Sequence, residues 1–351
     1  MKKSFLCAGL VLPLAACSPS QEQPSDAPAA AAGASAAASA LGGEARARLE
    51  DRLEDLVADL VKEHHDAEVG IALTDAQGTL AAGALGKGPA WSTIKVPIAI
   101  TALRDGGSVD LVDAAIKESD NDAAYALWSK VKWSEGNATA AIDEVLAEGG
   151  SKATWQNPDA NGDVSFGYAE WLLKDQATFA AHLNCVADNK QVSRAMSDIV
   201  EWQQYGLTAL DNTRAKGGWG FDEDSGRYTQ RQFGVLDIGD TMPGEHGSIG
   251  IAMTVVFDDM DDFDSEQEAY DDAVKALDDV AGDLKDMISE GLDDGTLTPV
   301  HACDGLPRAQ ATSASEHTSE KGASVSAATS SEPASSSCRP AVTSAQNSVR
   351  N

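Results

Sequence analysis

The chain has 351 residues, a formal net charge of −30 at pH 7 and an isoelectric point near 4.3. This acidity excludes a nucleic-acid-binding protein, which needs a basic footprint, and argues against electrostatic adsorption to anionic lipid. The length allows one large domain or two, and an apolar content of 42% is enough for a sizeable core. Acidic residues concentrated over 258–294 indicate a solvated helix face that aids solubility.

The N-terminus has the features of a targeting segment. Lys2 and Lys3 precede an apolar run over 5–16, which is too short to span a bilayer. The run ends in Leu-Ala-Ala-Cys, which looks like a bacterial lipoprotein signal with cleavage before Cys17 and lipid on its thiol. The alternative is an ordinary secretory signal in which the cysteine is accidental. We expect residues 1–17 to be a lipoprotein signal and its lipidated cysteine, which holds the protein on the extracytoplasmic face of the cell membrane.

Two further segments lack the pattern of a packed core. Residues 18–45 are rich in Ala, Ser, Pro and Gly with no apolar period, which predicts a flexible linker. Residues 307–351 are rich in Ser, Ala and Thr and nearly free of large apolar side chains, which predicts a disordered tail. The folded domain is therefore expected over 46–306.

The domain alternates helical and strand patterns. Apolar residues at helical spacing predict a first amphipathic helix over 49–60, and a turn at 75–78 separates the two strands of a hairpin, at 69–73 and 79–85. We expect helices over 92–105, 111–131, 168–183 and 191–205, strands near 213–219, 228–236 and 248–257, and a final acidic helix over 266–291. This order predicts an α/β (α+β) sandwich, in which an antiparallel five-stranded sheet carries helices on both faces.

The sequence has five cysteines. Cys7 leaves with the signal and Cys17 is the lipidation site, so three remain outside the cytoplasm, where disulfides persist. Cys185 and Cys303 each follow a predicted helix, whereas Cys338 lies in the predicted tail. A Cys185–Cys303 disulfide is therefore expected.

The first of three short motifs is Ser92-Thr93-Ile94-Lys95 at the start of an apolar helix. Positions i and i+3 share a helix face, so the Lys95 amine can reach the Ser92 hydroxyl. If Ser92 is the first helical residue, its backbone N–H is free to donate to an oxyanion. Lys95 can take the serine proton only if its pKa is lowered by burial or by a neighbouring charge, which Lys216 could supply. Taken singly, the two residues are more simply a helix N-cap and a solvated lysine.

The second motif, Ser119-Asp120-Asn121, lies on a predicted helical stretch. Ser119 could relay a proton to a leaving group, Asn121 could hold a substrate amide, and Asp120 would be a buried structural acceptor. Because Ser, Asp and Asn are all good N-caps, the alternative is a helix start.

The third motif, Lys216-Gly217-Gly218-Trp219, lies where a strand edge would line the site. A small residue such as Gly218 lets a substrate backbone approach closely, and the Trp219 N–H would be a second oxyanion donor. The alternative is a strand that ends in a glycine turn.

Together and in this order, the motifs resemble those of the serine β-lactamase and penicillin-binding protein superfamily, and most closely the class A β-lactamase-like serine hydrolases. The resemblance covers roughly 46–300 in element order, and the stretch 114–124 is its most telling part. It implies the β-lactamase/transpeptidase-like fold and a set of roles: Ser92 as acylated nucleophile, Lys95 as activating base, Ser119 as proton relay, Asn121 as substrate ligand, Lys216 as electrostatic anchor, and Ser92 and Trp219 as oxyanion amides, with Gly218 beside the substrate.

Three departures from that pattern bear on activity. Ser92 and Ser119 are only 27 positions apart, as though a helical insert were missing. Gly217 replaces the family's Thr or Ser, whose hydroxyl binds a substrate carboxylate. The stretch 151–167 contains no glutamate to activate a deacylating water, so an acyl-enzyme would hydrolyse slowly and efficient β-lactamase activity is not expected.

We therefore expect a membrane-anchored extracytoplasmic serine hydrolase that acts through an acyl-serine intermediate on an amide or ester, of the β-lactam or cell-wall D-alanyl peptide class. The alternatives are a catalytically impaired binding lipoprotein of the same fold and, more weakly, a genuine β-lactamase. We expect a monomer with a small-molecule or peptidoglycan-derived substrate, no nucleic-acid partner and no cofactor or metal, because no Cys/His spacing suggests zinc.

Overall fold

The computed structural model describes residues 28–64, 67–86, 88–156, 165–242, 245–261 and 263–301, together with 303 and 306. The predicted signal with Cys17, and the predicted tail with Cys338, lie outside the described residues. The chain divides into the units Met1–Glu44 and Ala45–Asn351, and the sheet and the candidate site belong to the second. In the described parts of the chain, no helix combines the length and apolar character needed to cross a membrane.

Helices make up most of the described chain. The α-helices are α1 Pro28–Glu63, α2 Lys95–Arg104, α3 Val109–Lys117, α4 Asn121–Glu135, α5 Ala138–Glu148, α6 Leu173–Ala181, α7 Lys190–Met196 and α8 Glu266–Asp293. Short 3-10 turns lie at Trp91–Ile94, Phe166–Tyr168, Leu183–Cys185, Glu201–Gln203 and Gly206–Ala209.

The strands form one five-stranded sheet in the order β2-β1-β5-β4-β3. Their bounds are β1 Glu68–Asp75, β2 Gly78–Gly83, β3 Thr213–Asp222, β4 Arg227–Met242 and β5 Glu245–Phe257, and all neighbours pair antiparallel. The predicted hairpin and the three later strands are confirmed. Because β3 is an edge strand, one of its sides faces the helices instead of another strand.

Each face of the sheet carries its own layer of helices. Successive side chains of a strand point to opposite faces. Thus Ala252 of β5 packs with the core of helices α2 to α7, whereas Ile251 and Met253 pack with α8 and the Leu49–Leu60 part of α1. The predicted α+β sandwich with helices on both faces is therefore the observed architecture.

Two segments differ from the sequence expectation at element level. Helix α1 begins at Pro28, within the stretch 18–45 whose composition predicts a flexible linker. The same stretch is rich in alanine, which has the highest helix propensity. Helix α5 was not predicted. It begins where the Asn137 side chain accepts a hydrogen bond from Ala140 N at 3.3 Å, as an N-cap does.

Three predicted helices have different limits. The helix expected over 111–131 is two helices, α3 and α4, that are interrupted at Ser119. The helix expected over 191–205 ends at Met196 as α7, and a 3-10 turn at Glu201–Gln203 follows. The helix expected over 168–183 is the 3-10 turn Phe166–Tyr168 followed by α6. These interruptions bring Ser119 and the Glu201–Gln203 turn next to β3.

Candidate active site

Ser92 lies in the 3-10 turn Trp91–Ile94, which runs directly into α2 at Lys95. Ser92 is buried, and its turn packs on edge strand β3. A Cβ placed on Gly218 would come within 2.7 Å of Ser92 N and 2.9 Å of Thr93 N. Gly218 is therefore required by the backbone of the turn that holds Ser92, and its role beside a substrate stays a prediction.

Hydrogen bonds fix the chain around Ser92. Ala90 N donates to Ala169 O at 2.7 Å, and the Thr93 hydroxyl donates to Ala90 O at 2.5 Å. The buried Gln176 amide in turn donates to Thr93 Oγ1 at 3.0 Å. Trp91, the residue before Ser92, has a φ of 49°, a left-handed conformation that costs a non-glycine residue energy and is frequent at functional sites.

Lys95 is almost fully buried and its amine has several acceptors. Nζ donates to Ser119 O at 2.6 Å and Asn121 Oδ1 at 2.7 Å, with longer contacts of 3.4 Å to Ser119 Oγ and Asp120 O. Burial lowers the pKa of Lys95 to about 7, while the charge of Asp120 opposes this shift. Of the two causes weighed from the sequence, burial or the charge of Lys216, burial is thus the one that brings the Lys95 amine into the range of a general base.

Ser92 Oγ and Lys95 Nζ are not hydrogen-bonded to each other in the described residues. The amine instead points its protons at Ser119 O and Asn121 Oδ1. A neutral amine that donates two protons in this way keeps its lone pair free to accept a third. The arrangement is therefore compatible with proton abstraction from Ser92, and catalytic hydrogen bonds are often loose before a substrate binds.

Ser119 occupies the break between α3 and α4 with a φ of 57°. Its Oγ accepts from Lys216 Nζ at 3.0 Å and from Lys95 Nζ at 3.4 Å. Both lysines of the three motifs thus meet at one hydroxyl. A helical conformation, as predicted from the pattern around 111–131, would not present the Ser119 hydroxyl and carbonyl in this way.

Lys216 is completely buried on β3. Its Nζ donates to Gly217 O at 2.8 Å and Ser119 Oγ at 3.0 Å, with a 3.4 Å contact to Gln203 Oε1. Burial, followed by repulsion from Lys95, lowers the pKa of Lys216. The two buried lysines share one partly buried hydroxyl and cannot both carry a proton without large repulsion, so one of them is readily neutral.

The remaining residues of the second motif have different surroundings. Asp120 is exposed, and its Oδ1 accepts from Ala123 N at 2.6 Å, so it is the N-cap of α4 and not the buried acceptor that we expected. Asn121 is the first residue of α4, and its Oδ1 faces Lys95. Its role as a substrate ligand stays a prediction, as do the Ser92 and Trp219 amides as oxyanion donors.

Gly217 is explained by a residue that we did not single out from the sequence. A Cβ at this position would overlap the hydroxyl oxygen of buried Tyr205. That hydroxyl accepts from Gln230 Nε2 at 2.7 Å, and the Tyr205 carbonyl accepts from Gln232 Nε2 at 2.9 Å. The sequence could have pointed to such a residue through Gln230 and Gln232 of β4. Two amides on one face of a buried strand need hydrogen-bond partners. Tyr205 therefore occupies the space that a Thr or Ser side chain would need.

Aromatic rings gather beside the third motif. The Trp219 ring lies 5.5 Å from that of Trp202 and 5.9 Å from that of Tyr270, both edge-on. The Tyr270 hydroxyl donates to Trp202 O at 3.1 Å. The order of the sequence does not reveal this cluster, since its members come from a 3-10 turn, β3 and α8.

Arg231 of β4 is a buried cation beside the segment that leads into the turn Trp91–Ile94. Its Nη1 donates to Pro89 O at 2.8 Å and Gly88 O at 3.2 Å, and within the described residues no carboxylate forms an ion pair with it. Burial lowers the pKa of Arg231 to about 10. Arg231 therefore holds the segment that leads into Ser92, a role that the sequence did not suggest.

Glu170 lies three positions beyond the stretch in which we looked for a water-activating glutamate. Its backbone pairs with Thr154 and Pro89. Its side chain lines a cavity of about 1040 Å³, which Arg231 also lines but Ser92 does not. Among the described residues no carboxylate is hydrogen-bonded to Ser92, and residues 157–164, with Asp159 and Asp163, lie outside them.

Away from the motifs, Cys185 and Cys303 form the disulfide expected from the sequence, with a Cα–Cα distance of 5.5 Å. It joins the segment after α6 to the chain that follows α8. No group of three or more potential metal ligands occurs in the part of the chain that the structure describes.

Comparison with known proteins gives structural neighbours only. No family model and no curated protein matches the sequence. Among solved structures, an ancestral (GNCA) class A β-lactamase is 17% identical with a TM-score of 0.44, covering 68% of this chain and 99% of its own. A β-lactamase from Desulfarculus baarsii is 14% identical with a TM-score of 0.46, and the match covers 67% of this chain and 98% of that protein. A β-lactamase from Streptosporangium roseum is 15% identical with a TM-score of 0.47, and the match covers 72% of this chain and 100% of that protein.

Proposed function

We propose that the chain is a serine hydrolase of the β-lactamase-like kind, which acts on an amide or ester through an acyl-Ser92 intermediate. The observation that carries the proposal is the convergence of Lys95 and Lys216 on Ser119 Oγ, at 3.4 and 3.0 Å, beside the turn that holds Ser92. These residues come from separate parts of the chain and are all largely buried. Burying two lysines without a carboxylate partner is unfavourable, so a site that retains them indicates a chemical role.

The acylation step follows from the surroundings of Lys95. Its pKa of about 7 leaves much of the amine neutral near neutral pH, so it can take the proton from Ser92 Oγ as that oxygen bonds to the substrate carbonyl carbon. The carbonyl oxygen becomes an oxyanion, for which we propose Ser92 N and Trp219 N as donors. Ser119, in contact with both lysines, then passes a proton to the departing amine or alcohol, which leaves as the carbonyl re-forms.

Deacylation is the weak step of the proposed cycle. Water must attack the acyl-Ser92 carbonyl and lose a proton, and no described carboxylate contacts Ser92 to accept it. We propose slow turnover because the stretch 151–167 has no glutamate to activate a water. The second candidate is a binding protein of the same fold that acylates slowly or not at all. The absence of glutamate over 151–167 favours this candidate over an efficient β-lactamase.

We further propose that Cys17 is lipidated and holds the domain, as a monomer, on the extracytoplasmic face of the membrane. The support is the apolar run before Cys17 and the Cys185–Cys303 disulfide, which is stable in an oxidising compartment. In a bacterial host, wild-type protein should fractionate with membranes and Cys17→Ser should not. Equal distribution of the two proteins would contradict the anchor.

Labelling tests the enzymatic proposal. A fluorescent penicillin or a fluorophosphonate should form an adduct with the wild-type chain and none with Ser92→Ala. Ser134→Ala, which removes a hydroxyl on the last turns of α4, is the matched control and should be labelled like wild type. If neither reagent labels the wild type, the hydrolase proposal fails, and equal binding of a wall fragment by wild type and Ser92→Ala would support the binding candidate.

A further inference from the structure

Gln203 is a buried residue that joins the second and third motifs. It ends the 3-10 turn Glu201–Gln203 and is 2% exposed. Its Nε2 donates to the carbonyl of Lys117, the last residue of α3, at 3.2 Å. Its Oε1 accepts from Lys216 Nζ at 3.4 Å. One side chain thus contacts both the helix end that precedes Ser119 and the lysine that donates to the Ser119 hydroxyl.

The orientation of the Gln203 amide is determined by its two neighbours. A carbonyl oxygen such as Lys117 O can only accept a hydrogen bond, so it must face the NH₂ group of the amide. The amide oxygen then faces Lys216 Nζ, which donates to it. Glutamate would bring an acceptor against Lys117 O, and an aliphatic side chain would offer Lys216 no acceptor. Glutamine therefore satisfies both contacts, which these other residues cannot do.

A separate backbone bond fixes the segment before Gln203 on α3. Val200 N donates to the same carbonyl, Lys117 O, at 3.2 Å, and Gln203 N donates to Val200 O at 2.9 Å. The turn therefore keeps an attachment to α3 even without the Gln203 amide. What the amide adds is the contact with Lys216, so its loss should affect the lysine more than the fold.

The contact with Gln203 limits where the Lys216 amine can lie. The amine also donates to Gly217 O at 2.8 Å and to Ser119 Oγ at 3.0 Å, so three acceptors surround it. Lysine has a flexible stem, and each fixed acceptor restricts its amine to fewer positions. Because a hydroxyl oxygen that accepts from Lys216 directs its own proton elsewhere, this amine orients the Ser119 hydroxyl as a donor.

We infer that Gln203 is a positioning residue, which acts through Lys216 to orient the Ser119 hydroxyl toward the leaving group. The inference rests on the proposed function. In the step concerned, the acyl carbon bonds to Ser92 Oγ and its bond to the leaving oxygen breaks. The leaving oxygen takes the Ser119 proton, and Lys95 Nζ, 3.4 Å from Ser119 Oγ, replaces it with the proton removed from Ser92.

The test compares the 4-nitrophenyl and the methyl ester of phenylacetic acid with full-length protein. Both esters give the same acyl-enzyme, so a variant that changes the ratio of their kcat/KM values has changed the assistance to the leaving group. 4-Nitrophenolate departs readily without a proton, whereas methoxide does not. Gln203→Met keeps the length of the side chain and removes both polar groups. It should lower kcat/KM about tenfold for the methyl ester and less than about twofold for the nitrophenyl ester.

Gln204→Met is the matched control and should leave both rates unchanged. Gln204 is exposed, its Nε2 donates to Ile199 O at 2.8 Å, and no hydrogen bond within the described chain joins it to Lys216. Gln203→Met overturns the inference if it lowers both rates by the same factor, since the residue would then only support the fold, or if it changes neither rate.

Labelling of Ser92 by a fluorophosphonate, measured in parallel, tests the proposed function separately. If Ser92 is labelled but the wild type cleaves neither ester, or Gln203→Met does not change the ratio of the two kcat/KM values, the inference is overturned and the hydrolase proposal stands. If Ser92 is not labelled, the proposed function itself fails.

Discussion

Lys95 is the residue whose environment decides whether Ser92 can be activated. An exposed lysine holds its proton until pH values near 10.5, but burial lowers the pKa of Lys95 to about 7. The base form dominates above that pKa. The rate of Ser92 acylation by a neutral ester should therefore rise about tenfold per pH unit below 7 and level off above it. Stopped-flow acylation rates between pH 5 and 10 would check this, and a rate that still rises through pH 10 would contradict the assigned base.

A substitution of Gly218 would test the close contact between β3 and the turn that holds Ser92. In Gly218→Ala, the new Cβ would lie 2.7 Å from Ser92 N, so the turn or the strand must shift. We expect a loss of about 1–3 kcal/mol in the free energy of unfolding and at least a tenfold slower acylation. Gly282→Ala in α8 is the control, since its Cβ meets nothing within 4 Å. Alanine there should stabilise the protein by up to about 1 kcal/mol and leave acylation unchanged. Equal free energies of unfolding and equal acylation rates for the two variants would show that this close contact does not matter for function.

At the scale of elements, strand β4 supports the segment that enters the site. The Arg231 guanidinium bonds both Gly88 O and Pro89 O, and it is 2% exposed. Both bonds are donated by Nη1 at the end of a fully buried guanidinium. Lysine would have to place a compact and more strongly hydrated amine in the same buried position, which is less favourable. Arg231→Lys should therefore slow acylation about 10- to 100-fold through misplacement of Ser92. Circular dichroism should show a folded protein.

Arg227→Lys provides the comparison on the same strand, because Arg227 is a half-exposed residue that pairs with Asp258 at 2.6 Å. The acylation rate of Arg227→Lys should equal that of the wild type. Equal rates for all three proteins would remove the positioning role of Arg231.

Elements also show where sequence patterns succeed. Short apolar runs and the turn at 75–78 predicted all five strands, although helices cover both faces of the sheet and β1 is buried along nearly its whole length. The break at Ser119 was not predictable in this way. Its surroundings favour helix on both sides, and the left-handed conformation is held by tertiary contacts with Lys95 and Lys216. The aromatic cluster of Trp202, Trp219 and Tyr270 was not predicted for the same reason, since tertiary packing alone brings Trp202 to Trp219.

On the scale of the whole molecule, the Cys185–Cys303 disulfide closes a loop with a sequence separation of 118. A cross-link over so long a loop restricts the unfolded chain strongly, and its loss should lower the free energy of unfolding by about 3–5 kcal/mol. Urea denaturation of the Cys185→Ser/Cys303→Ser variant, with and without reductant, would measure this loss. The variant should be insensitive to reductant, and the wild type under reducing conditions should approach it. A wild type with the same midpoint in both conditions would show that the bridge does not stabilise the domain.

The motifs placed Lys95, Ser119 and Lys216 in one site, and both amines contact the Ser119 hydroxyl. Ser92 lies in the turn that leads into Lys95, and no side-chain hydrogen bond of the described residues joins Ser92 Oγ to the other three. The exact contacts could not be predicted from the sequence. Hydrogen-bond geometry depends on neighbours such as Tyr205 and Gln203, whose positions follow from packing across the sheet. Gly217 and Gly218, alike in the sequence, thus serve two different contacts, one with a hydroxyl and one with a backbone amide.

The most direct test of the central claim is peptide mass spectrometry after the full chain reacts with a fluorophosphonate. We expect a single new adduct on the peptide that contains Ser92, which disappears in Ser92→Ala and forms much more slowly in Lys95→Met. An adduct that persists in Ser92→Ala, or a wild type that stays unmodified, would contradict the proposed acyl-Ser92 chemistry.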